Sequence, residues 1–226
     1  MSTTIAWGNV NSVKARAAHV TTFLADTQPD ILFLQELKGE VFPDLDTGYH
    51  VTYVGQKAYN GVAILSKTPV TILATHLPGD DTDTQARYIE AEWNGLRLIN
   101  IYLPNGNPID TEKFDYKLAW MQRLYTHLAS LITARIPFLV GGDFNVIPAN
   151  IDCYDPDLWR GDALFHPKTI TAFRRLINLG LTDALRVFNA APETYTFWDY
   201  QAGAWPRNRG IRIDHFLTSP AVTDRL

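Results

Sequence analysis

Six polar residues stand where apolar runs of this chain give out, and their types point to one kind of chemistry. Asn9 and Asn11 close the run "TIAWGNV", and Glu36 follows "ILFL" with only Gln35 between. Asp143 and Asn145 follow "FLVGG", and Asp214 lies inside "IRIDHFL". Open α/β sheets build their sites at strand ends, and residues two apart in extended backbone share a side. Asparagines and carboxylates from four strands are therefore able to converge on one point. The set is rich in oxygen and poor in soft ligands: six histidines show no paired ligand spacing and there is one cysteine, which argues against zinc. Carboxylate and amide oxygens suit a hard divalent cation, Mg²⁺ or Mn²⁺, with positions left over for phosphate oxygens. "VGGDFN" lacks the Lys-Ser/Thr of a phosphate-binding loop, and no G-x-S-x-G nucleophile elbow is present. Metal-assisted hydrolysis of a phosphate ester is the chemistry these parts allow.

Taken singly, each residue has a plainer role. A glutamate at a strand end is ordinarily solvated, and for Glu36 alone that reading is favoured. Asn9 and Asn11 could form Asx-turns that cap a following helix. Asp143 is harder to set aside, because Gly141-Gly142 permits close backbone approach in front of it. Asp214 is harder still, since a carboxylate in an apolar strand must be paired or hydrogen-bonded if buried. Its neighbour His215 points to the opposite face of the strand, toward a helix layer or the other sheet, and is not its catalytic partner.

The elements that must position these residues alternate. "TIAWGNV" reads as a strand, Ser12 as the cap of a helix running to about Asp26, and "PDILFLQE" as a buried strand. "HVTYVG", "GVAILS" and "VTILAT" follow, then "RYIEAEW" and "LRLINIYLP" joined by the hairpin signal Asn94-Gly95. A long helix is expected from about Asp110 to Ala134, a buried strand at "PFLVGGDFN", a helix at "PKTITAFRRLINLG" closed by Gly180, and a last strand at "RIDHFLTS". Mixed sheets with helices on their outer faces are the expected architecture. No linker or repeat divides the chain, so residues 1–226 are expected to be a single domain.

Of the 226 residues, 46% are hydrophobic and 12% aromatic. The net charge of −4 denies the chain an overall basic field, so nucleic-acid binding would need a local one. Arg174 with Arg175 is one such cluster, and Arg207, Arg209 and Arg212 form a better one. No apolar run is long enough for a bilayer and no secretory leader opens the chain. The lone Cys153, expected to be a buried bystander, fits a reducing, cytoplasmic location.

These segments resemble the endonuclease/exonuclease/phosphatase superfamily, and within it the exonuclease III branch of abasic-site endonucleases. "WGNVNSVKAR" is similar to the family's opening strand, "PDILFLQELK" to its metal-glutamate motif, and "NGVAILSK" to the hairpin after it. "IYLPNG" resembles the tyrosine loop, "GGDFNVIP" the aspartate–asparagine motif, and "TFWDYQAGAWPRNRGIRIDHFL" the segment that sets this branch apart. The resemblance implies a four-layer α/β sandwich, two mixed sheets packed face to face with helices outside. It implies a Mg²⁺- or Mn²⁺-dependent phosphodiesterase, a monomer acting 5′ to abasic sites in duplex DNA, with 3′-to-5′ exonuclease action. By motif position Glu36 would be the principal metal ligand with Asn11 close by, and Asn9 would orient the site. Tyr102 would contact the scissile phosphate. Asp143 would activate water or protonate the leaving oxygen, Asn145 would stabilise the phosphorane, and Asp214 would orient a catalytic histidine. Phe197, Trp198, Arg207, Asn208 and Arg209 would bind substrate.

The chain departs from the family's pattern in two places. Trp7-Gly8-Asn9 is one residue looser than the usual Trp-Asn order, and no Ser-Asp-His-x-Pro-Val strand follows "TSPAVTDRL". These 226 residues are therefore expected to be C-terminally incomplete relative to the family and to nick DNA slowly. The alternative is a truncated or degenerate relative that binds Mg²⁺ and DNA with little turnover.

Overall fold

The run Ile31–Gln35 forms a strand buried along its whole length, as does Val62–Ser66. Alternation divides the side chains of each between two layers. Leu32, Leu34, Ala63 and Leu65 pack with Val20 and Leu24 of the helix Ala17–Thr27, whereas Gln35 reaches Asn100 on the other side. A strand covered on both faces needs no polar alternation, which is why its sequence reads as continuously apolar. The computed structural model describes residues 3–200 and 203–226, which form two compact units. Gln201 and Ala202 of the branch-specific segment lie outside the described residues.

The first unit contains the residues up to Tyr102 and the segment Phe138–Asp143. Its elements are β1 (Ile5–Asn9), α1 (Ala17–Thr27), β2 (Ile31–Gln35), β3 (His50–Val54), β4 (Val62–Ser66), β5 (Thr71–Ala74), β6 (Tyr88–Trp93), β7 (Leu96–Tyr102) and β8 (Phe138–Asp143). One sheet has the order β1-β2-β4-β3, with β1 and β2 parallel and the remaining pairs antiparallel. The other runs β5-β6-β7-β8, with β7 and β8 parallel. The sheets pack face to face through β1 and β2 on β8 and through β4 on β6 and β7. Asn94 and Gly95 both have positive φ (51° and 78°), as a tight hairpin turn between β6 and β7 requires.

The second unit contains Leu103–Pro137 and Phe144–Leu226. Its long helix α2 (Glu112–Thr133) begins with Glu112 and Asp115 in the first turn, where the helix dipole favours negative charge. It packs on α4 (Pro167–Ile177), which follows the short α3 (Pro156–Trp159). Arg175 of α4 lies over the Tyr125 ring of α2 at 4.3 Å. Then come β9 (Thr182–Asp183), α5 (Ala184–Phe188), the antiparallel pair β10 (Phe197–Trp198) and β11 (Gly210–Ile211), β12 (Asp214–Thr218) and α6 (Pro220–Thr223). Cys153 is buried beside Ile147, Ile211 and Ile213, and burial pushes its thiol up to about 11.

One expected boundary is wrong. Ser12 does not cap α1, which starts at Ala17. The backbone after β1 instead continues alongside the chain after β2: the N–H groups of Val10, Ser12 and Val13 donate to the carbonyls of Gln35, Glu36 and Leu37. Ser12 has φ 87°, its hydroxyl accepts a long bond from Ala15 N–H at 3.3 Å and its carbonyl accepts from Arg16 N–H at 3.1 Å, so a turn separates it from the helix. The short elements β9, β10, β11, α3, α5 and α6 carry too few residues to show a period.

Candidate active site

Five of the expected residues meet at one end of the first unit. Asn9 at the end of β1 donates one amide to two carboxylates, Glu36 Oε1 at 2.9 Å and Asp143 Oδ2 at 3.0 Å. Its own carbonyl oxygen accepts Asn11 N–H at 3.0 Å. The Asx-turn expected of Asn9 thus forms through its amide oxygen, while its amide nitrogen is left to bridge the two carboxylates. Asn11 does not continue the strand. With φ 42° it turns into the left-handed region, so extended-strand spacing is not what brings it to the site. Tyr102, ending β7, donates its hydroxyl to Glu36 Oε1 at 2.7 Å.

The backbone at this end is shaped for the purpose. Glu36 and Lys38 have φ 56° and 53°, a conformation costly for residues with a Cβ and found where surrounding contacts over-determine it. Gly142, just before Asp143, has φ 124°, and any Cβ there would strike the Ile101 carbonyl and come within 3.0 Å of Asn100 Oδ1 and Gln35 Nε2. Behind the carboxylates Gln35 donates to Asn100, which donates to the carbonyls of Leu34 and Ala63, at 2.7–3.0 Å. Both residues are fully buried, so this network ties the ends of β2, β4 and β7 together.

Electrostatics fix the protonation states. Burial acts to raise the Glu36 carboxyl, but hydrogen bonds from Asn9, Tyr102 and Lys38, with the Lys38 charge, outweigh it and hold it below the usual range. Burial and the Glu36 and Asp143 charges push the Tyr102 hydroxyl well above its ordinary value. Tyr102 is therefore a neutral donor, unsuited to act as a phenolate. Two cations at this end escaped the sequence reading. Lys38 Nζ lies 3.1 Å from Glu36 Oε2 and donates to Asn11 Oδ1. Arg87 lies over the Tyr102 ring at 4.8 Å and donates to its carbonyl at 3.1 Å, fixing the ring. The acid–base sequence Glu36-Leu37-Lys38 was the available signal for the first. Nothing in sequence pairs Arg87 with Tyr102.

Among the described residues, no group of three or more His, Cys, Asp or Glu is arranged to hold a metal. Glu36 with the Asn11 amide is instead one carboxylate and one neutral oxygen, already drawn around the Lys38 ammonium. Such a set fits a hard cation that keeps most of its water, such as Mg²⁺, and does not fit zinc.

The remaining expected residues lie in the second unit. Asn145 is buried, donates to the Leu103 carbonyl at 2.8 Å and accepts from Asn105 at 3.3 Å. The fully buried Lys117, missed because a lysine on a helix is ordinarily solvated, donates to the carbonyls of Pro104, Asn105 and Asn145. Asp214 is buried, and its N–H donates to Thr196 Oγ1 at 3.1 Å. Trp198 donates to Asn208 at 3.2 Å and packs edge-on against Trp205 at 4.5 Å. Phe197, Arg207, Asn208 and Arg209 are exposed.

Arg212 corrects an expectation. It is 2% exposed and bound to Asp152 at 2.6 Å, Asp183 at 2.7 Å and His215 Nδ1 at 2.9 Å, so it is no phosphate contact. His215 Nε2 faces the Val146 carbonyl at 2.9 Å and must donate there, which leaves Nδ1 to accept from Arg212. Its ring packs on Phe173 of α4, so of the two surroundings expected for it, a helix layer or the other sheet, it meets a helix. Burial and the Arg212 charge lower it to about 4.

Residues 6–225 match the sequence profile of the Endonuclease/Exonuclease/phosphatase family. The chain is 34% identical to exodeoxyribonuclease III of Haemophilus influenzae, over 96% of its own length and 88% of the relative's. It is 32% identical to an exodeoxyribonuclease of Bacillus subtilis, over 98% and 90%. Among solved structures it is similar to a Neisseria 3′ phosphatase bound to a product DNA hairpin, with TM-score 0.94, 39% identity, and coverage of 99% of this chain and 89% of that one. An AP endonuclease from Archaeoglobus fulgidus gives TM-score 0.93 and 37% identity over the same shares. The fold common to them is a layered α/β sandwich.

Proposed function

Since the chain belongs to the endonuclease/exonuclease/phosphatase family, we propose that it is a DNA-repair nuclease of exonuclease III type, hydrolysing phosphodiester bonds 5′ to abasic sites and at 3′ ends. The observation that carries this reading is the pair Glu36–Asp143, two carboxylates bridged by one Asn9 amide and backed by the neutral Tyr102 donor. The relatives named above support DNA as the substrate.

In this reading the two carboxylates have different tasks. Glu36, kept ionised by three donors, would hold the metal with Asn11, and the cation when bound would polarise the phosphoryl oxygen and neutralise developing charge. Asp143 would carry the proton, taking it from the attacking water or returning it to the leaving oxygen. Asn9 would hold both carboxylates in register, and Tyr102 would offer its hydroxyl to the substrate phosphate. Asn145 and Asp214 would act on the phosphorane and on a histidine partner. Phe197, Trp198, Arg207, Asn208 and Arg209 would receive the strand at the lesion.

A duplex oligonucleotide with one abasic site, incubated with the protein and Mg²⁺ or with EDTA, tests this. Nicking 5′ to the site with Mg²⁺ and none with EDTA is expected. Cleavage that survives EDTA, or failure to cleave either the abasic or a 3′-terminal phosphodiester, would refute it.

A further inference from the structure

We propose that Lys38 is the internal counter-cation of this site. A divalent metal must expel its ammonium from Glu36 and Asn11, and the expelled charge then becomes available to the substrate phosphate. The inference rests on the reading of Glu36 as a metal ligand. Its geometric basis is direct: Nζ lies 3.1 Å from Glu36 Oε2 and donates to Asn11 Oδ1, the two side chains assigned to the metal. Oxygens arranged around an ammonium are arranged around a cation, so the donor set is complete without a metal. A magnesium ion binds oxygen at about 2.0–2.1 Å. It and Nζ cannot both take Glu36 and Asn11 without bringing two positive charges into close contact.

The chain is built to let the side chain leave while the backbone stays. Lys38 N–H donates to the Asn60 carbonyl at 2.9 Å, anchoring the main chain where φ is 53°. The side chain retains 35% of its exposure, against 19% for Glu36, so the lysine is the more solvent-exposed partner of the pair. A flexible four-carbon stem can swing the charge outward without moving the residue. The vacated cation stays within a side chain's length of the metal, where an anionic phosphate would arrive. Metal and phosphate binding are thereby coupled: each favours the state in which Lys38 has left Glu36.

Manganese titration calorimetry on the DNA-free protein separates the possibilities, using the wild type, Lys38→Gln, Lys38→Arg and Glu36→Gln. Lys38→Gln removes the competing charge and is expected to bind Mn²⁺ about tenfold more tightly, the effect of one short-range like charge. It should also melt lower than wild type without metal and gain more in Tm when metal is added. Lys38→Arg keeps the cation and should bind no more tightly than wild type. Glu36→Gln should bind much more weakly. If Glu36→Gln weakens binding but Lys38→Gln binds no more tightly than wild type, the counter-cation is wrong and the metal site stands. If Glu36→Gln binds Mn²⁺ as wild type does, the metal site itself is misassigned and the proposal falls with it.

Discussion

Asn9 spends one side-chain amide on three tasks: its nitrogen holds Glu36 and Asp143, and its oxygen holds the turn at Asn11. Because the amide donates, both of its carboxylate partners are best served as anions, which suits a metal ligand and a proton acceptor. Replacing Asp143 by Asn keeps an oxygen that accepts from Asn9 and removes the proton-transfer group. We expect Asp143→Asn to fold with an unchanged Tm and to bind abasic DNA within a few-fold of wild type. Single-turnover cleavage should fall by about 10²–10⁴, the usual contribution of a general acid or base. A loss of DNA affinity as large as the loss of rate would make Asp143 structural instead.

At the scale of elements, the site depends on how β2, β7 and β8 end. Gly142 is the tightest of these points, since no Cβ fits between the Ile101 carbonyl and the Gln35–Asn100 pair. Gly142→Ala should destabilise the protein by about 3 kcal/mol or more, combining a strained φ with overpacking. Chemical denaturation read by circular dichroism would measure it, and a cost below about 1 kcal/mol would contradict the geometry. The strands themselves were legible in sequence, because "ILFL" and "FLVGG" are buried along their length and the Asn94-Gly95 turn has no other ready reading. The identities of Asn9, Glu36 and Asp143 were legible too. How they meet was not: Asn9 and Asp143 are 134 residues apart, and the left-handed turns at Asn11, Glu36 and Lys38 are imposed by tertiary hydrogen bonds that no local propensity encodes. Arg212 was misjudged for the same reason. It looked like one of three neighbouring surface cations, and only the fold supplies Asp152 and Asp183 to bury it.

For the whole molecule, charge acts on stability and on binding through separate residues. His215 is neutral when folded, titrating near 4 instead of its ordinary 6.5, so between these values the unfolded chain binds more protons than the folded one. Stability must then fall as pH drops from 6.5 to 4, by up to about 3 kcal/mol from this residue. Denaturant midpoints at about pH 7 and about pH 4.5 should show that slope in wild type and a shallower one in His215→Gln. Equal slopes would assign the acid sensitivity elsewhere. Binding should depend on the exposed pair instead. In Arg207→Ala/Arg209→Ala the log–log salt slope for duplex DNA should become less negative by about 0.9 for each phosphate that is no longer neutralised. An unchanged slope would move the strand-binding surface away from this loop. Arg212→Ala should leave that slope alone and unfold the protein more readily, by about 3 kcal/mol, because Asp152 and Asp183 lose their shared buried cation and only Arg186 remains on Asp152.

The solitary thiol of Cys153 turns the second unit into its own reporter. Sealed among Ile147, Ile211 and Ile213 and titrating near 11, it presents almost no thiolate at neutral pH. A thiol-specific label will therefore react only during the moments when the segment around β11 opens. The rate of that slow modification, followed against denaturant, measures the free energy of opening next to Arg212 and Asp152. Thiol-directed oxidants should leave Cys153 unmodified until the segment around β11 begins to open.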